Sequence, residues 1–175
     1  MNYATIKWTD IANGEGVRIS LFVSGCTHRC KNCFNQVAWD FSYGERFDER
    51  VEEKILEGLG EGFIAGISLL GGEPLEPQNQ QVLYPFLKRV KELYPNKTIW
   101  CYTGFIFDEK TGGLKERRKN IDCTKDLISL FDVLVDGPYI EKLKDVRLKF
   151  RGSSNQRIID VQKTIESKRC VLYLE

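Results

Sequence analysis

VRISLFVSGCTHRCKNC, residues 17–33, is the stretch on which the fold assignment turns. Val17 to Ser24 is rich in β-branched and large apolar residues, as strands are, and it runs straight into Gly25-Cys26. Cys26, Cys30 and Cys33 therefore fall in the loop at a strand's C-terminal end, in a Cys-x3-Cys-x2-Cys spacing. Outward from this loop, helix and strand patterns alternate. Val51, Ile55, Leu56 and Leu59 predict a helix from Asp48, its N-cap, to Leu59, and Gly60 and Gly62 stop it. Phe63 to Leu70 is an almost continuous apolar run, a strand covered on both faces, and it ends in Gly71-Gly72-Glu73-Pro74. Phe86, Leu87, Val90 and Leu93 mark a second helix with Pro85 at its start, followed by a strand from Lys97 to Tyr102 and then Thr103-Gly104. Residues 105–121 read as a long charged loop. A third helix, Cys123 to Phe131, precedes the strand Asp132 to Asp136 and Gly137-Pro138. Val146 to Phe150 alternates apolar and polar, and Cys170 to Leu174 is apolar, so one or two further strands are expected. Such alternation predicts an α/β fold with a parallel sheet and right-handed crossovers, whose chemistry gathers at the C-terminal strand ends.

Length and composition set the bounds. At 175 residues, 42% hydrophobic and 29% charged, residues 1–175 are expected to form one domain with a real core, which excludes a disordered chain. Lys and Arg total 26 against 25 Asp and Glu. A net charge of +1 gives no global attraction to nucleic acid or to a membrane surface, so any charged partner must meet a local patch. No apolar run is long enough to span a bilayer and the first ten residues lack a signal-peptide core, so the expected location is the cytoplasm. There, six cysteines point to metal binding or catalysis rather than to disulfides.

Three close thiolates can hold three irons of a four-iron cluster and leave the fourth iron open to an exogenous ligand. The competing reading is a structural zinc site from Cys26, Cys30, Cys33 and His28, the chain's one histidine. The spacing of His28 between Cys26 and Cys30 is unlike a zinc knuckle and suits a solvent-side or hydrogen-bonding role better. Cys101, Cys123 and Cys170 stand singly on apolar segments and read as small buried hydrophobes, so no second cluster is implied. Alone, Gly71-Gly72-Glu73-Pro74 would be a strand-ending turn. The basic run Lys115 to Lys119 reads as a solvated loop able to touch an acidic partner, and Ser153 to Gln156 either line a site or cap a strand edge.

The cysteine triplet, with Gly71-Gly72-Glu73-Pro74 ending the next strand, resembles the radical S-adenosylmethionine (SAM) enzymes. Within that superfamily, Asn13 to Arg18 (NGEGVR), Ser24 to Asn35, Trp100 to Phe105 (WCYTGF), Asp132 to Tyr139 (DVLVDGPY) and Arg151 to Asp160 are similar to activating enzymes of anaerobic (class III) ribonucleotide reductase. The resemblance implies an incomplete, truncated parallel (β/α) barrel. It implies one 4Fe-4S cluster on Cys26, Cys30 and Cys33, with SAM seated at Gly71, Gly72, Glu73 and Pro74. Asn32, Cys33 and Phe34 would lie against the nucleoside, and Thr103 and Asp136 would supply remaining SAM contacts. Asn32 departs from the glycine or aromatic residue usual in such enzymes. The implied reaction is reductive cleavage of SAM and formation of a glycyl radical on the anaerobic ribonucleoside-triphosphate reductase, with flavodoxin or ferredoxin as electron donor. An open side of the barrel suits a protein substrate. Two alternatives stand beside it: a short radical SAM enzyme of the deazapurine synthase type acting on a small molecule, and a zinc-binding module without catalysis.

Overall fold

The computed structural model describes residues 1–33 and 35–174. The chain opens with β1 (Asn2–Asp10), which pairs antiparallel with β2 (Val17–Val23). After the cysteine loop and β3 (Glu45–Arg46), α1 (Glu49–Leu59) leads to β4 (Ile64–Gly71). Next, α2 (Pro77–Leu93) leads to β5 (Thr98–Tyr102). A small hairpin of β6 (Phe107–Asp108) and β7 (Gly113–Leu114) follows, then α3 (Thr124–Ser129) and β8 (Val133–Asp136). A long loop, β9 (Arg157–Asp160), α4 (Val161–Ser167) and β10 (Leu172–Leu174) complete the chain.

Eight of these strands form one sheet in the order β10-β9-β8-β5-β4-β2-β1-β3. The fold is mixed α/β: β2, β4, β5 and β8 run parallel, whereas β1 and β3 on one margin and β9 and β10 on the other are antiparallel. The expected parallel sheet is thus limited to the four central strands. The short connection of residues 11–16 explains the β1 side, since only an antiparallel neighbour can be reached by so few residues. On the other side β9 follows β8 with only a short 3-10 turn, Glu141–Leu143, and no α-helix between them.

Alternation along the central strands sorts the core into two faces. Ile67, Leu69, Ile99, Cys101 and Leu134 meet the helix side chains Ile55, Leu59, Phe86, Leu87, Val90, Leu127 and Ile128, all buried. Trp100, Val133, Val135 and Ile158 form a smaller cluster on the opposite face. Cys101 is a fully buried hydrophobe, as expected. Asp48 caps α1 by accepting the Val51 N–H at 3.1 Å. Helix α2 begins at Pro77, well before its apolar stripe, because proline suits a first helical position; Pro85 lies inside it on the exposed face.

Cys170 to Leu174 does supply a strand, but Val146 to Phe150 does not. Both sides of β8 are already taken by β5 and β9, so this part of the β8–β9 connection does not pair beside β8. Instead Phe150 adopts φ +55° and sets its ring against Trp100, with centroids 5.3 Å apart.

Candidate functional site

The parallel register places Val23 beside Gly71, so the loops that follow β2 and β4 leave the sheet together. They are stitched backbone to backbone: Gly72 N–H donates to Val23 O at 2.7 Å and Glu73 N–H to Gly25 O at 2.8 Å. This contact is why two glycines stand here. Gly71 has φ +105°, and a Cβ on Gly72 would lie 2.7 Å from the Gly25 carbonyl oxygen and 2.9 Å from that of Ala38.

Glu73 is buried at the centre of the strand ends. Its Oε1 accepts the Thr103 hydroxyl at 2.8 Å and Leu75 N–H at 2.9 Å; its Oε2 accepts Gly104 N–H at 2.8 Å and lies 2.9 Å from His28 Nε2. His28 also packs on Phe105, with centroids 4.3 Å apart. Burial acts to lower the His28 pKa, but the Glu73 hydrogen bond and charge outweigh it and raise the net value. Asn79 ties the same turn to β2 by donating to Ser24 O at 3.0 Å and Glu73 O at 2.9 Å.

A second clasp holds the cysteine loop. Glu76 accepts Thr27 N–H at 3.0 Å and the Thr27 hydroxyl. Lys119 Nζ donates to Glu76 at 2.7 Å and to Thr27 Oγ1 at 2.9 Å. Burial acts to raise the Glu76 pKa, but the hydrogen bonds from Lys119 and Thr27 prevail and hold it below the usual range. Lys119 is therefore no solvated charge, unlike its exposed neighbours Lys115, Arg117 and Arg118. Nothing in the sequence pattern links Glu76 with Lys119.

Between these clasps the half-buried thiols Cys26, Cys30 and Cys33 face one cleft of about 560 Å³ at the C-terminal ends of the parallel strands. Arg29 and Asn32 turn the loop with φ +48° and +60°. The second value explains the departure at Asn32: where a glycine is usual, asparagine is the side chain that best tolerates a left-handed backbone. Burial pushes the Cys26 thiol up to about 11, with the Glu73 charge adding to it. Cys30 is raised by burial and by Cys33, against the backbone amides of Cys30 and Tyr139. Thiols of this kind stay protonated until a cation takes the sulfur.

Of the residues singled out from sequence, Asn32, Gly71, Gly72, Glu73 and Thr103 join the cysteines in lining this cleft. Pro74 is buried behind the turn and does not line it. Asp136 is not in the wall either; its carboxylate accepts Phe107 N–H at 2.8 Å and Arg157 Nε–H at 2.8 Å, and pairs again with Arg157 Nη2. Phe34 lies outside the described residues. Sequence reasoning missed Tyr102 and Tyr139. Tyr102 lines the cleft, and its buried hydroxyl has no hydrogen-bond partner among the described residues. Its only signal was its place at the end of a strand.

The arrangement bears on which group three thiols could hold. Among the described residues no three His, Cys, Asp or Glu side chains converge on one ion, and His28 Nε2 is committed to Glu73. Three half-buried thiols from one short loop facing one cleft are the donor type and number that a four-iron cluster with one open iron takes, so the loop fits a cluster. The cleft is roomy enough for a nucleoside bearing an amino acid, and the unpartnered Tyr102 hydroxyl awaits a polar ligand.

A family model described as a 4Fe-4S single cluster domain matches residues 12–159. The chain is 44% identical over 160 residues to the anaerobic ribonucleoside-triphosphate reductase-activating protein of Haemophilus influenzae, a match covering 90% of this chain and 97% of that one. It is 39% identical over 158 residues to the protein of the same name from Escherichia coli K12, covering 89% and 96%. The equivalent protein of Enterobacteria phage T4 is 35% identical over 158 residues, covering 90% and 93%. No helix among the described residues is long and apolar enough to cross a membrane.

Proposed function

Because the chain belongs to the family of anaerobic ribonucleoside-triphosphate reductase-activating proteins, we propose that it is a radical SAM activase that installs a glycyl radical on the anaerobic ribonucleotide reductase of its organism. One observation carries this reading: three thiols from one loop share a single cleft with the Gly71-Gly72-Glu73 turn and an unpartnered phenol. On this reading residues 1–175 are one radical SAM domain, a truncated (β/α) barrel built on β2, β4, β5 and β8.

Cys26, Cys30 and Cys33 hold the 4Fe-4S cluster, and Gly71, Gly72, Asn32 and Thr103 line the space for SAM. Once bound and reduced by one electron from a flavodoxin- or ferredoxin-class donor, the cluster supplies reductive cleavage of the sulfonium to methionine and a 5′-deoxyadenosyl radical. The chain's own part is positioning. The bare backbone at Gly71 and Gly72 lets the amino-acid end of SAM approach the sheet. Glu73 hydrogen-bonds His28 and so fixes the cysteine loop against that turn. Thr103 orients Glu73 through its hydroxyl. Tyr102 offers its O–H to the ligand.

The test is electron paramagnetic resonance on protein reconstituted anaerobically with iron and sulfide, reduced, and then given SAM and the reductase of the same organism. The expected result is a reduced-cluster signal that changes on SAM addition, followed by a glycyl radical signal on the reductase. A cluster indifferent to SAM, or zinc in place of iron, would refute the proposal.

A further inference from the structure

The loop from Pro138 to Gly152, joining β8 to β9, has a character found nowhere else on the rim of the cleft. Ile140, Leu143 and Val146 are 39%, 41% and 89% exposed. Interleaved with them are five cations, Lys142, Lys144, Arg147, Lys149 and Arg151, against the two carboxylates Glu141 and Asp145. With a net charge of only +1 on the whole chain, this is a local concentration. Among the described residues Lys142, Lys144 and Lys149 form no ion pair, and Arg147 pairs only with Asp145 inside the loop, at 2.8 Å. Neither the core nor internal charge pairing accounts for these side chains.

The loop is also held in place. Ser153 Oγ accepts Ile140 N–H at 3.2 Å, Leu143 O accepts Ser154 N–H at 2.9 Å, Asn155 Nδ2 donates to Pro138 O at 2.8 Å and Gln156 Nε2 to Gly137 O at 3.1 Å. Ser153 to Gln156, ambiguous in sequence, thus form the base on which the loop stands. Its inner side, Tyr139, Lys144, Leu148 and Phe150, walls the cleft that holds the cysteines. The outer side carries the exposed aliphatics.

We infer that this loop is a docking strap for the protein substrate, gripping an extended, acidic segment that also carries aliphatic side chains and leading it over the rim to the reacting centre. The inference rests on the activase reading and names the surface that reading leaves open. Charge complementarity sets the acidity of the partner, and the exposed Ile140, Leu143 and Val146 set its aliphatic content. A phosphate-rich partner suits the loop less well, since it would leave the exposed Ile140, Leu143 and Val146 without an apolar counterpart.

The test compares wild type with the double variant Lys142→Glu/Lys149→Glu and with Val146→Asp, none of which lines the cleft. Anaerobic biolayer interferometry against the reductase of the same organism reads affinity at low and high salt. Iron content and reductase-independent SAM cleavage by dithionite-reduced protein are read alongside. The double variant is expected to bind about tenfold more weakly at low salt, with the gap closing at high salt, and Val146→Asp several-fold more weakly at either salt. Iron content and SAM cleavage stay at wild-type levels. Unchanged affinity in both variants overturns the strap, as does binding of wild type to phosphatidylglycerol vesicles or RNA that the variants lose while still binding the reductase. If wild type raises no glycyl radical, the activase reading falls; if it does and the variants bind like wild type, only the strap falls.

Discussion

The same four parallel strands bury a charge at each end, Arg18 at one and Glu73 at the other. Arg18 is fully buried beneath Trp100 and spends its donors on Ser68 Oγ, Thr98 Oγ1 and the carbonyls of Glu15, Ile67 and Thr98, at 2.8 to 3.1 Å. Burial pushes its pKa down to about 10, which still leaves it charged at neutral pH. A cavity of about 400 Å³ lies there too, yet its carboxylates are committed: Glu15 to the Tyr173 hydroxyl at 2.6 Å, Asp132 to Lys91 at 2.7 Å, and Asp160 to the Lys163 amide at 3.0 Å. At the other end Glu73 is equally well paired, but the Tyr102 and Ser24 hydroxyls have no hydrogen-bond partner among the described residues, and the three thiols are free of disulfides. Hollow space exists at both ends, and what distinguishes the ligand end is its uncommitted polar atoms.

Four changes would break or sharpen that contrast. Cys30→Ala at the cleft is expected to reduce SAM cleavage to background while circular dichroism and the unfolding midpoint stay near wild type; a retained rate would show that the open end is not the reacting centre. Arg18→Leu at the closed end should do the reverse, costing about 3 kcal/mol in urea unfolding because it strands several buried acceptors. Unchanged stability would mean that the guanidinium is dispensable as a plug. Tyr102→Phe should leave the ligand-free protein within about 0.5 kcal/mol of wild type, since the hydroxyl has no partner to lose. SAM affinity should drop about tenfold, read by the SAM-induced change in the cluster signal.

The smallest effect is expected at Glu76→Gln, about 1 kcal/mol. The Glu76 pKa is lower in the folded state than its ordinary 4.5, so its contribution is present above that pH and fades as pH falls through the folded value. The glutamine variant should accordingly lose stability at pH 6 to 7 and converge with wild type at the acid end. Parallel curves across that range would remove Glu76 from the loop clasp.

Local signals carried most of the fold. The β2, β4, β5 and β8 strands and the α1 cap announce themselves through apolar runs and an aspartate within one segment. Strand β1 did not, because Lys7, Trp8 and Thr9 on this nine-residue strand all face water and blur its alternation. The residues 146–150 show the opposite failure, a strand pattern in a connection whose preceding strand is already paired on both sides. The site divides in the same way. Thiols four and three positions apart are legible because chain connectivity brings them together. The commitment of Asp136 to Arg157 and the pairing of Glu76 with Lys119 join residues 21 and 43 positions apart, and only the folded sheet decides them.

All three thiols belong to one eight-residue loop, and none of the ladders that build the sheet passes through it. Closing so short a loop costs little chain entropy compared with assembling the long-range sheet. Assembly of the sheet therefore does not depend on what the three thiols hold, and on the proposed function loading the cluster is an event separate from folding.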